Sequence, residues 1–111
     1  MAASQGPSRI AACAVIPVYN HEHAIATVVA GVAAHGLHIL LVDDGCDAGC
    51  AAELDRLSSR ADVTLLRHDR NRGKGAAVVT GLRTARERGF THALQVDADG
   101  QHTLSDIRLF L

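Results

Sequence analysis

Apolar residues along the chain form four short runs, and stretches of helical periodicity separate them. The runs cover residues 10–16, 38–42, 63–66 and 92–96. Continuous apolar runs of this length are typical of strands that are covered on both faces of a sheet. The pattern therefore predicts four buried strands, with Pro17 stopping the first of them.

Apolar residues at helical spacing predict a helix after each of the first three strands. The first helix follows Asn20, its expected N-cap, and ends near Gly36. The next two are expected over residues 51–60 and 76–88, and Gly89 closes the later one. This spacing predicts strands that alternate with helices along the chain.

A fourth helix is expected near the end of the chain. Thr103 is followed three positions later by Asp106, which resembles a capping box in which Asp replaces the usual Glu. Four strand–helix pairs in alternation predict an α/β sandwich with a mostly parallel sheet and right-handed crossovers.

Polar clusters follow all four predicted strands, at residues 17–22, 43–47, 70–75 and 97–102. Ligands of parallel α/β sheets bind beyond the carboxyl ends of the strands. Because these ends meet at one edge of the sheet, the four clusters should gather along one rim. We expect the functional site there.

Composition narrows the class of protein. The chain has 111 residues, enough for one domain; 48% are hydrophobic, the formal net charge is -1, and only three are aromatic. This balance argues against a nucleic-acid surface, and no apolar run reaches the roughly 18 residues of a membrane span. We expect a disordered leader over residues 1–9, a folded domain over residues 10–111, and a cytoplasmic location because the leader lacks a signal-peptide pattern.

Asp97 and Asp99 are candidate metal ligands, since they lie two positions apart at a strand end and extended backbone would point both carboxylates to the same side. Gln101 would add a neutral oxygen. Such hard ligands suit Mg²⁺ or Mn²⁺ together with phosphate oxygens. The alternative is a pair of solvated turn aspartates.

Asp43 and Asp44 end the second strand and, being adjacent, point in opposite directions. We expect Asp44 to face the rim and to accept hydrogen bonds from a nucleobase or a ribose. The alternative is a simple Asx-turn beside Gly45.

A polar loop at residues 70–75 precedes the third helix. Backbone N–H groups at the helix start would favour an anion, with Arg72 and Lys74 adding positive charge. The loop matches neither a P-loop nor a dinucleotide-binding motif. Helix capping beside a solvated charge cluster is the alternative.

The three cysteines are too few for a disulfide framework. Cys13 is expected in the core. Cys46 and Cys50 leave zinc binding or a local disulfide as minor alternatives, because no second pair of ligands completes a zinc site. His102 is a candidate contact for metal or phosphate, with a solvated loop histidine as the alternative.

Four motifs, taken together and in this order, resemble those of family 2 glycosyltransferases of the GT-A fold. They read VIPVYN at 15–20, VDDG at 42–45, NRGKG at 71–75 and VDADGQH at 96–102. The last is similar to the D-A-D-x-Q-H motif of dolichyl-phosphate and polyprenyl-phosphate sugar synthases. The resemblance implies a GT-A α/β/α sandwich, the fold of nucleotide-diphospho-sugar transferases.

The resemblance also implies roles for individual residues. The family binds the nucleotide with the loop after the first strand, with the acid that ends the second strand, and with groups near the diphosphate. These roles would fall to Pro17, Tyr19, Glu22, Asp44 and Asp97, and we expect Arg72 or Lys74 to support the diphosphate or the loop. The metal ligands for Mn²⁺ or Mg²⁺ would be Asp97, Asp99 and Gln101. Two positions depart from the family pattern: His21 separates Tyr-Asn from Glu22, and Cys46 replaces a common Ser.

The implied activity is inverting transfer of a hexose from a UDP- or GDP-linked donor to a polyprenyl phosphate or another lipid-linked or saccharide acceptor. Family catalytic domains are about twice as long, so the acceptor half and the general base are expected beyond Leu111. That missing part would also bring the protein to the cytoplasmic face of the membrane. The sequence gives no view of the oligomeric state.

Two other functions remain open at this point. One is a non-catalytic nucleotide-binding fragment. The other is a receiver-like phosphoacceptor domain, which also places acids after strands beside Mg²⁺, although its acidic pair would follow the first strand rather than the second.

Overall fold

The computed structural model describes residues 10–99 and, beyond a gap, the backbone of residues 104–108. The predicted leader at residues 1–9, Gln101 and His102 lie outside the described residues. The described elements in chain order are β1 (Ala12–Val18), α1 (Ile25–Ala33), β2 (His38–Asp44), α2 (Ala48–Leu57), β3 (Val63–His68), α3 (Lys74–Glu87), β4 (His92–Val96) and β5 (Leu104–Arg108).

The strands form one sheet in the order β3-β2-β1-β4-β5, and the first four are parallel as predicted. The expected fourth helix is wrong, because residues 104–108 form β5, which pairs antiparallel with β4 and sets Leu104 opposite Val96. Local spacing favoured a helix there, but the open edge of β4 offers backbone donors and acceptors that a strand satisfies.

Helices cover both faces of the sheet, which gives an α/β/α sandwich. Alternate residues of β1 point to opposite faces. Ala14 and Ile16 pack in one core cluster with α1 and α2, whereas Cys13 and Val15 pack in the other with α3. Both faces of β1 are therefore buried, which explains its continuous apolar run. Cys13 lies in the core as expected.

Helix α3 packs closely against β1. A Cβ atom on Gly81 would lie 2.3 Å from Cγ1 of Val15. Only glycine allows this distance, and the close packing places the start of α3 beside the ends of β1 and β2.

Several predicted element boundaries are wrong, and α2 covers Ala48–Leu57 rather than residues 51–60. Strand β1 continues through Pro17 to Val18, still beside β2, after its pairing with β4 has ended at Val15. A strand with one neighbour can accommodate a residue without an N–H group. Helix α1 starts after Ala24 rather than Asn20, which has a left-handed φ of 58° and belongs to the preceding loop.

Candidate donor-binding site

The four polar clusters meet at the carboxyl ends of β1 to β4, as predicted. They form an open cleft of about 290 Å³. Residues from all four clusters contribute to its lining, which consists of Pro17, Val18, Tyr19, His21, Asp44, Asn71, Lys74, Asp97, Ala98 and Asp99. Six of the predicted site residues therefore lie in one cleft.

The Asp44 carboxylate organises the loop before α3. It is 3% exposed, and its Oδ1 accepts from the backbone N–H of Arg72 at 2.9 Å. Its Oδ2 accepts from the N–H of Gly73 at 2.9 Å and from the Asn71 side chain at 3.0 Å. The anion bound by the N–H groups just before this helix is thus a carboxylate of the protein itself.

His68 extends this network into the protein. Its Nδ1 lies 2.8 Å from Asp44 Oδ1, and its Nε2 lies 2.8 Å from the Thr80 hydroxyl. The histidine is buried at the end of β3 and connects β2 with α3. No motif in the sequence pointed to His68 or Thr80, because their contacts arise only when β2, β3 and α3 come together.

Asp43 points away from Asp44, as the adjacent positions predicted. Its carboxylate accepts from the Cys46 N–H at 2.8 Å and from Arg67 Nε at 2.7 Å. Burial by itself would raise the pKa of Asp43, but these two donors favour the ionised form and hold the pKa below its usual value. Asp43 therefore stabilises the turn after β2.

Asp97 and Asp99 both line the cleft, although the chain turns at Ala98 instead of staying extended. The Asp97 side chain is 15% exposed and its Oδ1 accepts from Lys74 Nζ at 2.7 Å. Lys74 is the first residue of α3, and its side chain is 59% exposed. With Asp44, the cleft thus combines three carboxylates with one ammonium group.

The end of β1 and the loop that follows it contribute one wall of the cleft. Pro17 and Tyr19 line it as predicted, and His21, which sequence reasoning singled out only as a departure, lines it too. Glu22 is not among the lining residues; its Oε2 lies 3.4 Å from the position of a Cβ atom on Gly49, at the start of α2.

Arg72 contributes to the loop before α3 through its backbone N–H, which donates to Asp44, rather than through its side chain. Its guanidinium group lies 3.8 Å from Asp69 Oδ1, on the exposed side of the loop. Asn71, which the motif contained but which had no assigned role, donates to both the carboxylate and the backbone carbonyl of Asp44. The sequence feature that could have revealed the role of Asn71 is its place in the NRGKG motif at 71–75.

Cys46 and Cys50 are free thiols whose sulfur atoms lie 2.9 Å apart. The Cys46 thiol donates to the Val18 carbonyl and accepts from the Asn20 N–H, both at 3.4 Å. Burial and the contact with Cys50 raise the pKa of Cys46. These two hydrogen bonds link the turn after β2, which carries Cys46, to the end of β1 and the loop that follows it. A small side chain that both donates and accepts can make both contacts.

The residues at the cleft fit a divalent cation of the Mg²⁺ type. Among the described residues, no three His, Cys, Asp or Glu side chains group to hold a metal by themselves. Asp97 and Asp99 offer hard carboxylate oxygens on one wall. A pair of carboxylates completed by water and substrate phosphate is the usual arrangement for Mg²⁺.

Comparison with known proteins identifies the family. The sequence profile described as Glycosyl transferase family 2 matches residues 13–111, nearly the whole chain. The chain belongs to glycosyltransferase family 2. This membership confirms the resemblance seen in the four motifs and decides against a receiver-like domain.

Two curated relatives act on lipid phosphates according to their names. The family 2 domain is 36% identical to UDP-N-acetylglucosamine--dolichyl-phosphate N-acetylglucosaminyltransferase of Methanococcus voltae, over 84% of this chain and 43% of that protein. It is 33% identical to polyprenol monophosphomannose synthase of Mycolicibacterium smegmatis, over 87% of this chain and 38% of that protein. The chain thus spans about two fifths of the length of these relatives.

Solved structures confirm the GT-A fold. The mannosyltransferase PcManGT of Pyrobaculum calidifontis, in complex with GDP-Man and Mn²⁺, superimposes with a TM-score of 0.69 at 23% identity, over 86% of this chain and 29% of that one. S. aureus TarS 1–349 in complex with UDP superimposes with a TM-score of 0.68 at 19% identity, over 81% of this chain and 28% of that one. None of the helices within residues 10–99 has the length and apolar character needed to cross a bilayer.

Proposed function

We propose that this chain is the donor-binding part of an inverting hexosyltransferase that uses a nucleoside diphosphate sugar and a divalent cation. The observation that carries the proposal is the convergence of Asp97, Asp99 and Lys74 in a cleft at the carboxyl ends of the parallel strands. This is where α/β sheets bind nucleotides. Family membership supplies the reaction class.

A diphosphate can bind among the charges of the cleft only if a cation binds with it. The carboxylates of Asp44, Asp97 and Asp99 repel an anionic diphosphate, and Lys74 supplies one positive charge against them. When bound, Mn²⁺ or Mg²⁺ would neutralise this repulsion and stabilise the departing nucleoside diphosphate as a Lewis acid. Asp97 and Asp99 would hold it, and Gln101, outside the described residues, stays a predicted third ligand.

The protein's own groups position the donor. Pro17 and Tyr19 form the wall on which the nucleoside would lie. Asp44 lines the cleft, but both of its carboxylate oxygens already accept hydrogen bonds from the protein. We therefore assign Asp44 first to holding the loop that carries Lys74, and a base or ribose contact would share these oxygens.

The acceptor is proposed to be a polyprenyl phosphate, on the basis of the two curated relatives. Direct displacement at the anomeric carbon would need a general base, and we propose that this residue lies outside the described part of this chain. A lipid-linked acceptor would bring the full protein to the membrane surface, on the cytoplasmic face.

The test is calorimetric titration of the chain with UDP and with GDP, each with and without Mn²⁺. The proposal expects nucleotide binding that requires the metal, and the preferred nucleotide identifies the base. Asp99→Asn, which removes charge at nearly constant shape, should abolish metal-dependent binding and keep the circular dichroism spectrum. Unchanged nucleotide affinity in this variant would overturn the metal-site assignment.

A transfer assay separates the enzyme from a non-catalytic binding module. The chain and a longer form that continues past Leu111 would be incubated with a radiolabelled UDP- or GDP-hexose and polyprenyl phosphate. Transfer by the longer form supports the proposal. Nucleotide binding without transfer by either form would favour the non-catalytic alternative.

A further inference from the structure

Lys74 is the only lysine in the chain, and its ammonium group contacts Asp97, a proposed metal ligand. Nζ donates to Asp97 Oδ1 at 2.7 Å. The Lys74 backbone is fixed, because the two preceding N–H groups, those of Arg72 and Gly73, donate to the buried Asp44 carboxylate. Its side chain is 59% exposed, so the ammonium group can leave Asp97 without disturbing packed residues.

An ammonium group and a divalent cation compete for the same carboxylate. Both seek the oxygens of Asp97, and at a separation of a few ångströms they repel each other. A free cation that binds Asp97 Oδ1 must displace Lys74, and one that binds Oδ2 lies beside the positive charge of Lys74. A cation that arrives with a diphosphate gives Lys74 a new anionic partner within reach of its long side chain.

We infer that Lys74 competes with the divalent cation for Asp97 and that the nucleoside diphosphate relieves this competition by drawing Lys74 to itself. The inference rests on the proposed function and adds a dependence between its two ligands. The cation binds tightly only together with the nucleotide. Lys74 is then a positioning residue that couples two ligands, and such coupling is reciprocal by thermodynamic linkage.

The first test compares Lys74→Met with the wild-type chain by calorimetry, using MnCl₂ alone and then UDP or GDP at saturating Mn²⁺. Loss of the competing charge should tighten the binding of Mn²⁺ alone by about two- to fivefold, the range of a partly exposed ion pair. Loss of the phosphate partner should weaken nucleotide binding by about three- to tenfold. A merely structural role would not move the two affinities in opposite directions.

Arg83→Met is the matched control. Arg83 is an exposed cation on the same helix, nine residues further along and outside the cleft. The variant removes the same charge and introduces the same side chain about 14 Å away along the helix axis. Equal changes in Arg83→Met and Lys74→Met would show a general charge effect and overturn the inference.

The single lysine also allows a direct measurement. Reductive methylation with ¹³C-formaldehyde keeps the positive charge and labels only Lys74 and the N-terminal amine. The Lys74 methyl signal should shift when Mg²⁺ alone displaces the ammonium group, and shift again, to a different position, with Mg²⁺ and nucleotide. A signal that stays unchanged on addition of saturating Mg²⁺ would contradict displacement.

The outcomes distinguish this inference from the proposed function. If the wild-type chain binds neither Mn²⁺ nor a nucleotide, both are overturned. If it binds the two together but Lys74→Met leaves the affinity for Mn²⁺ alone unchanged or lower, only the competition is wrong.

Discussion

The backbone nitrogen of Asn71 lies 2.3 Å from the position that a Cβ atom on Gly45 would occupy. Gly45 also has a positive φ of 79°. The turn after β2 and the loop before α3 can therefore touch only because residue 45 is glycine. This contact places the Asp44 carboxylate where the N–H groups of Arg72 and Gly73 can reach it.

Gly45→Ala should lower the free energy of unfolding by about 3 kcal/mol, since the new methyl group meets backbone atoms and the left-handed conformation disfavours alanine. Urea unfolding would measure the loss. Gly36→Ala is the control, because Gly36 has a similar φ of 75° but open space around it. That variant should lose only about 1 kcal/mol, and equal losses would show that the contact with Asn71 is unimportant.

Asp44→Asn should destabilise the protein by about 2 to 4 kcal/mol, because an amide group cannot accept from all the donors that surround this buried carboxylate. Hydrogen exchange of the Arg72 and Gly73 amides should accelerate more than exchange in the core strands. Asp69→Asn, at a nearby exposed aspartate, should change stability by less than about 0.5 kcal/mol. Retained protection of the two amides in Asp44→Asn would refute the role assigned to Asp44.

The stability of the protein should depend on pH below about 4 through Asp43. Its pKa in the folded protein is held below the unfolded value of about 3.9, so the unfolded chain takes up a proton first as pH falls. The stability that Asp43 contributes is therefore complete above this value and is lost as pH falls through the folded pKa. Urea unfolding at several pH values should show the difference between wild type and Asp43→Asn shrinking below pH 4.

Arg67→Met supplies the control for this pH dependence. It keeps the Asp43 carboxylate but removes the guanidinium that donates to it at 2.7 Å. The pKa of Asp43 should then rise towards the unfolded value, so the loss of stability on acidification should be smaller than in wild type and should be complete at a higher pH. If the free energy of unfolding changed with pH in the same way in wild type and both variants, Asp43 would be excluded as the source of the pH dependence.

The sequence predicted most of the fold because β1 and β2 are buried on both faces and β3 and β4 are also short apolar runs. All four predicted strands were found, since a continuous apolar run such as residues 38–42 has few alternatives to a covered strand. The expected fourth helix was wrong. Its spacing was compatible with a helix, and pairing with the edge of β4 decided the outcome.

The sequence predicted which residues line the cleft better than it predicted the contacts that those residues make. Asp97 and Asp99 were recognisable by their spacing at a strand end, and both line the cleft. Glu22 and Arg72 were assigned side-chain roles by position in a motif, yet their side chains lie elsewhere. The direction of a loop side chain depends on neighbours that come from distant parts of the chain.

By itself, the sequence determined the order of strands and helices from β1 to β4, the rim at which the polar loops gather, and the family. These properties follow from local hydrophobic periodicity and from motifs that lie within a few residues of one another. Only the tertiary structure decided that Asp44 holds the loop before α3 and that Lys74 lies on Asp97. Both contacts join residues more than 20 positions apart, and their partners are set by how the strands and α3 pack.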